Sequence, residues 1–366
     1  MKSLLLTYHF NYNYGAILQT YACIKVLEKK GIDTELPNHK PKMILPMTSF
    51  FRGLDRKKIG TTKSIINRLS LFKRYRLFDQ FRKNYLNINK KLNSKKDIVD
   101  YLDNFNSVVV GSDQLWNTNV QFDHKFDDYY FLGFIKNSKI KKISFSSCFG
   151  DVNQKWKFKK VFSKHLMNFN KLSVRNLFSQ QLVKRLTGKK PQLTCDPTLL
   201  YDYKEFLQNT KQSNTIVVYA IDENNFKTIE KLAKKIKSFS KSKIIFIGSE
   251  RHSSNFINAD IMLNNVGPIE FLRLFKQSKF VVTDSFHGCV FAAKFNKKFI
   301  AYSSNERSHR IVDFLKWLKL EKLHITNDKK FDLNIWKNIN YKKIDKKINI
   351  LKNITFNYLK NICSQK

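Results

Sequence analysis

The sequence predicts an α/β fold made of two alternating strand–helix halves, and three observations predict it. Short apolar runs, such as SVVV at 107–110 and KFVV at 279–282, are separated by stretches whose apolar residues recur at helical spacing. The alternation starts twice, near residue 3 and again near residue 215, and the halves meet at 200–214. A length of 366 residues also suits two domains, at a soft prior of roughly 150 residues each. The expected division is an N-terminal domain at 1–205, a C-terminal domain at 206–326 and a basic helical tail at 327–366.

The elements follow in order. Residues 3–7 (SLLLT) read as a buried-type strand that ends in a polar loop, His9 to Tyr14. Ile17, Leu18, Tyr21, Ile24 and Leu27 then keep helical spacing until Gly31 stops the helix, and 32–36 form a second strand. Residues 38–62 are irregular, with Pro41, Pro46 and Gly60; 63–86 are basic, aromatic and helical. SVVVGSD (107–113) and ISFSSCFG (143–150) read as strands with polar exits, and 154–168 as a helix. KLSVRN (171–176) is a strand, 178–187 a helix, and QLTCDPTLL (192–200) a strand and its exit. The second half runs strand 215–222, helix 223–239 and strand 243–250. A helix then opens at Pro268 and runs to Lys276, followed by a strand and loop at 279–288, the helix CVFAAKF, the strand KFIAY and a helix at 306–318. From about 341 the tail carries Ile344, Ile348, Leu351, Tyr358 and Ile362 on one helical face, interrupted by Thr355. No repeat relates the two halves.

Composition removes several classes. With 42% hydrophobic and 14% aromatic residues, the chain is too apolar for a disordered basic tail. Eleven Gly and six Pro exclude a collagen-like chain. The five Cys are dispersed, which fits reduced buried thiols and neither a disulfide scaffold nor a zinc site. No metal is expected. The first residues read as a strand rather than a signal peptide, no stretch reaches 18 uninterrupted apolar residues, and a cytoplasmic protein is expected. The 68 Lys and Arg against 29 Asp and Glu give +39. Much of that excess is Lys spread along a chain also rich in Asn, Ile and Phe, the mixture an AT-biased genome yields. No nucleic-acid module accompanies it, so no specific nucleic-acid partner is expected. A basic surface suits an anionic substrate or peripheral contact with an anionic membrane leaflet.

The residues that carry chemistry sit just after the strands, where open parallel sheets bind ligands. Asn13, Gly15 and Gln19 flank the first helix start, either as an anion-contacting turn or as an ordinary strand-to-helix turn. Gly111-Ser112-Asp113 with Trp116 fits a sugar or phosphorylated molecule, or an Asx turn beside a buried indole. Arg175 ends a strand, where a guanidinium meets solvent or an anion. Asp196-Pro197 fits a helix cap. The sharpest loop is Thr283-Asp284-Ser285-Phe286-His287-Gly288, which puts an imidazole at a helix start after a strand, as acid, base, anion donor or simple cap. Arg307 and Arg310 open the 306–318 helix, facing an anion or solvent.

Together these loops resemble the polysaccharide pyruvyl transferase family. The matching pieces are NYGAILQTYA (13–22), VVGSDQLWN (109–117), SVR (173–175), CDPTLL (195–200), VGPIEFL (266–272), TDSFHGCVF (283–291) and RIVDFL (310–315). The resemblance implies two Rossmann-like domains facing across a cleft in a GT-B-like arrangement. It implies phosphoenolpyruvate as co-substrate and a sugar as acceptor, joined as a pyruvate ketal; the Lys-rich surface makes a lipid-linked oligosaccharide on the cytoplasmic leaflet an expected form of that acceptor. It carries the donor-associated His to His287 and a basic residue to Arg175. Better-studied members read Arg-Leu-His where this chain has Ser285-Phe286-His287. That substitution leaves Arg310 or Arg307 to supply the charge. His287 is therefore the expected catalytic residue. Arg175, Ser285, Gly288, Arg310 and Gly15 are expected at the donor, and Asn13, Gln19, Asp113, Trp116 and Asp284 are expected to orient donor or acceptor. The competing expectations are a GT-B glycosyltransferase using a nucleotide sugar and a basic nucleic-acid-binding protein.

Overall fold

A computed structural model describes residues 1–41, 62–118, 126–137, 139–150, 159–248, 258–303, 309–327 and 331–363. The first half runs β1 (Lys2–Leu6), α1 (Tyr14–Glu28), β2 (Asp33–Pro37), α2 (Thr62–Tyr85), β3 (Ile88–Asn89), α3 (Lys95–Asp100), β4 (Ser107–Val110) and β5 (Lys141–Ser144). It continues through α4 (Lys159–Met167), β6 (Ser173–Val174), α5 (Leu177–Thr187), β7 (Gln192–Leu193), α6 (Pro197–Leu200) and α7 (Lys204–Leu207). The second half runs β8 (Thr215–Tyr219), α8 (Phe226–Ser240), β9 (Lys243–Ile247), β10 (Ile261–Leu263), α9 (Pro268–Gln277) and β11 (Phe280–Thr283). It closes with α10 (Phe286–Lys294), β12 (Lys298–Tyr302), α11 (His309–Leu318), β13 (His324–Ile325) and α12 (Tyr341–Cys363).

Both sheets are parallel, in the orders β3-β2-β1-β4-β5 and β10-β9-β8-β11-β12-β13. The order reverses between β1 and β4 in one sheet and between β8 and β11 in the other. A crevice opens beyond the strand ends at such a reversal. The β6–β7 pair extends the first sheet through bridges from Ile143 to Lys171 and from Ser147 to Val174. The central strands are buried on both faces, which is why they read as unbroken Val, Ile and Leu runs. Local signals set the helix starts. Asn13 accepts the Ala16 N–H at 3.1 Å, Ser94 that of Asp97 at 3.1 Å, and Asp196 that of Thr198 at 3.0 Å.

One apolar cluster runs through both halves, and a second lies within the first. Tyr14 of α1 stacks on Phe271 of α9 at 4.4 Å, and its hydroxyl donates to the Val266 carbonyl at 3.0 Å. Arg74 of α2, buried over the Tyr14 ring, donates to the Gly248 carbonyl of the second half and to the Tyr12 carbonyl of the first. The tail helix α12 buries Ile344, Ile348, Tyr358 and Ile362, as its periodicity predicts. It reaches the first half, where the Tyr358 hydroxyl donates to Ser144 O at 2.7 Å. Thr355 does not interrupt this face. It is fully buried and its hydroxyl accepts the Cys195 N–H at 3.0 Å.

Three strands lack a sequence signal: β3, β10 and β13 hold two or three residues each and sit at or near sheet edges. The helix expected at 154–168 is described from Lys159, and that expected at 306–318 from His309. The residues before those points, Arg307 among them, lie outside the described residues.

Candidate active site

Four strand exits, three from the first half and one from the second, meet in one buried cluster. After β4, Gly111 lets the chain pass the Thr7 side chain, and Asp113 follows in a left-handed conformation, φ 93°. That backbone is uncommon for a residue with a side chain and costs on the order of 1–3 kcal/mol. It aims the Asp113 carboxylate at Arg175 beyond β6, with Arg175 Nη2 at 2.9 Å from Oδ1. After β7, Asp196 caps α6 with one oxygen, where Oδ1 accepts the Thr198 N–H and hydroxyl at 3.0 and 2.6 Å. Its other oxygen accepts Arg175 Nη1 at 2.7 Å and the Ser112 hydroxyl at 3.0 Å. The same Oδ2 lies 3.6 Å from Nε2 of His287, an ion-pair distance longer than a hydrogen bond.

His287 stands on the first turn of α10, whose start is fixed by Ser285. The Ser285 hydroxyl accepts the Gly288 N–H at 3.4 Å. The His287 side chain is 8% exposed and Nε2 has no hydrogen-bond partner. It packs directly on α1: a Cβ on Gly15 would fall 2.1 Å from His287 Nδ1, so only glycine fits. Gly288 is constrained likewise, since a Cβ there would fall 2.2 Å from the Thr283 hydroxyl. The Phe286 ring lies under the Arg175 guanidinium at 4.6 Å, a cation–π contact across the halves.

Electrostatics explain why such a cluster stays charged. Burial opposes ionisation of Asp196, but His287, Arg175 and Thr198 outweigh it and hold the carboxyl below the usual range. Burial opposes Asp113 in the same way and is outweighed by the charges of Arg175, His287 and Arg310. Arg310, half-buried on the first turn of α11, is thus close enough to act on the cluster. Burial also pushes the Cys148 thiol up, which leaves it protonated and unreactive.

The expected residues separate into two groups. Gly15, Asp113, Arg175, Ser285, His287, Gly288 and Arg310 come together at this junction. The others are engaged in contacts of their own. Trp116 is fully buried among Phe131, Phe149 and Phe169, and its N–H donates to the Tyr130 carbonyl at 2.9 Å. Gln19 is also fully buried and donates to the Thr7 hydroxyl at 2.6 Å. Asp284 accepts the Ile221 and Asp222 N–H groups and the Asn225 amide, so it ties the β8 exit to the β11 exit. Burial lifts its carboxyl to about 6. Asn13 is an exposed helix cap.

Arg175 is committed to Asp113, Asp196 and Ser112, with only Nε unpartnered. Asp196 is the residue whose importance the sequence understates: its cap signal is correct but uses only one of its two oxygens. Ser112 and Phe286 lie in loops the sequence singles out, but their contacts with Asp196 and Arg175 are made to partners distant in the chain.

Comparison with known proteins gives one family. The sequence model described as polysaccharide pyruvyl transferase matches residues 13–306. No curated protein matches. Among solved structures, the chain resembles the UDP-GlcNAc 2-epimerase of Methanocaldococcus jannaschii in complex with UDP-GlcNAc and UDP. That likeness has 16% identity and a TM-score of 0.50, over 99% of this chain and 98% of that one. A Listeria monocytogenes protein provisionally designated UDP-N-acetylglucosamine 2-epimerase gives 11% identity and a TM-score of 0.52, over 97% and 93%. At such identities the likeness concerns the fold, two Rossmann-like halves in the GT-B manner.

Proposed function

This chain belongs to the polysaccharide pyruvyl transferase family and is a transferase, and on that premise we propose that it moves the pyruvyl group of phosphoenolpyruvate onto a sugar. The acceptor is a surface polysaccharide or its lipid-linked precursor. One sugar hydroxyl attacks the enol carbon as the methylene carbon takes a proton. A second hydroxyl on the same sugar displaces phosphate and closes the ketal. Of the two protons leaving the hydroxyls, one ends on the new methyl group and the other on phosphate. His287 is assigned to the departing phosphate and to the proton it receives.

The observation that supports this reading most is the position of His287: on a helix start, at the junction of both sheets, against a buried carboxylate held by Arg175. Asp196 Oδ2 lies 3.6 Å from His287 Nε2 and orients the ring towards the junction. The Arg175–Asp113–Asp196 set fixes this geometry before substrate arrives. Arg310 supplies donor-facing charge where Ser285 replaces the family's Arg. No metal takes part in this scheme. Among the described residues no helix is long and apolar enough to cross a membrane. We place the enzyme in the cytoplasm, at the inner leaflet where a lipid-linked acceptor is presented.

Incubation of the protein with a membrane extract of its host and phosphoenolpyruvate labelled in the pyruvyl carbons tests the proposal. Label should enter the glycan fraction as an acid-labile ketal, with one phosphate released per ketal. Transfer from a UDP-sugar instead, with the phosphoenolpyruvate label left free, would favour the glycosyltransferase reading that the fold also accommodates.

A further inference from the structure

On the far end of α10 from His287 lies a concave site, about 570 Å³ in volume, between α7, α9, α10 and α12. That size is within the range of roughly 300–1,000 Å³ typical of small-molecule sites. Its charged lining is Lys204, Lys276, Lys294 and Lys352 against Asp202 and Asp345. The carboxylates do not balance the ammonium groups. Lys294 and Lys352 share a single oxygen, Asp202 Oδ1, at 3.2 and 3.4 Å. Asp345 is engaged by the Asn296 amide at 3.2 and 3.3 Å. Lys294 is the built part of the site. Its side chain is 6% exposed, and its ammonium also donates to the Leu199 carbonyl at 3.1 Å. Burial, then the nearby Lys352, brings it down to about 8, as expected of an ammonium short of counter-charge.

We propose that this cavity binds a compact polyanion carrying phosphate groups, held by Lys294 and Lys352 at its base and by Lys276 and Lys204 at its rim. A bilayer surface or a nucleic-acid duplex is too flat to reach an ammonium so deeply set. The general basicity of the chain attracts polyanions everywhere, but here a lysine whose side chain is 6% exposed meets an excess of positive charge in a concave wall. The site also has a route to the cleft. α10 runs from His287 to Lys294, and α6 runs from its cap Asp196 to Leu199, whose carbonyl Lys294 holds.

Calorimetric titration with inorganic pyrophosphate at physiological ionic strength tests the site. Wild-type protein and His287→Ala should each show saturable binding, and Lys276→Gln/Lys352→Gln should weaken it at least tenfold with its melting temperature retained. Both lysines of that variant are outside the cleft machinery. Non-saturable binding in the wild type overturns the proposal. So does binding that His287→Ala abolishes and the double variant keeps, because that places the anion in the cleft. Neither result bears on pyruvyl transfer, which is read with phosphoenolpyruvate.

Discussion

The two halves of the molecule bring different things to the cleft. The first contributes a locked charge set, in which Arg175 is clamped between Asp113 and Asp196 and no member is free to move alone. The second contributes a helix start bearing one imidazole, His287, whose ion-pair contact among the described residues, Asp196, belongs to the other half. One side is therefore pre-paired, and the other holds an imidazole whose Nε2 has no hydrogen-bond partner. Damage to the first half should cost folding and activity together, whereas damage to the second should cost activity alone.

The largest effect should come from Arg175→Met. Removing the cation leaves two carboxylates buried without their partner, a loss of about 3–5 kcal/mol. Urea unfolding should show it as a lower midpoint at unchanged slope, with turnover gone as well. His287→Ala should cut turnover by about a hundredfold to ten-thousandfold. Its unfolding midpoint should stay close to wild type. A large stability loss in that variant would erase the contrast between the halves.

Gly15→Ala is a finer probe, because the new methyl enters the His287 ring from the opposing half. Overpacking of this kind costs about 1–3 kcal/mol, and turnover should fall further than that stability loss explains. The pH dependence of stability sharpens the same contrast. Asp196 and Asp113 ionise more readily folded than unfolded. Their contribution is present above the ordinary carboxylate range and is lost as pH falls below it. His9, held neutral by burial down to about 4, adds a loss as pH falls from about 6.5 towards 4. Asp284 works the other way: its carboxyl is raised to about 6, so its contribution fades as pH rises from about 4 to 6. Acid unfolding followed by circular dichroism should show net loss below pH 4, shallower in Asp196→Asn. The smallest effect is expected from chelation, since EDTA should leave turnover unchanged.

The fold was legible wherever a strand is buried on both faces, because β1, β4, β8, β9, β11 and β12 appear as uninterrupted apolar runs. It was not legible at β3, β10 and β13, which are too short to carry a period. The site was legible in part. A histidine in the short loop-to-helix turn that follows KFVV sits beyond the carboxyl end of a parallel strand, and His287 is there, on the first turn of α10. The placement of Trp116 was not legible, because polar neighbours in sequence say nothing about which way an indole turns, and here it turns into a cluster of phenylalanines. Asp196 gave a true cap signal, but its second oxygen meets Arg175, Ser112 and His287, partners assembled only by the packing of distinct strand exits. Periodicity cannot report such a convergence.

Calorimetric titration of phosphoenolpyruvate into the wild-type protein and His287→Ala, beside UDP-sugars as competing donors, asks most directly whether the junction of the halves is a pyruvyl-donor site. Saturable phosphoenolpyruvate binding that weakens at least tenfold in His287→Ala, with no UDP-sugar binding, is the expected result. Phosphoenolpyruvate binding equal in both proteins, or binding of a UDP-sugar alone, would contradict it.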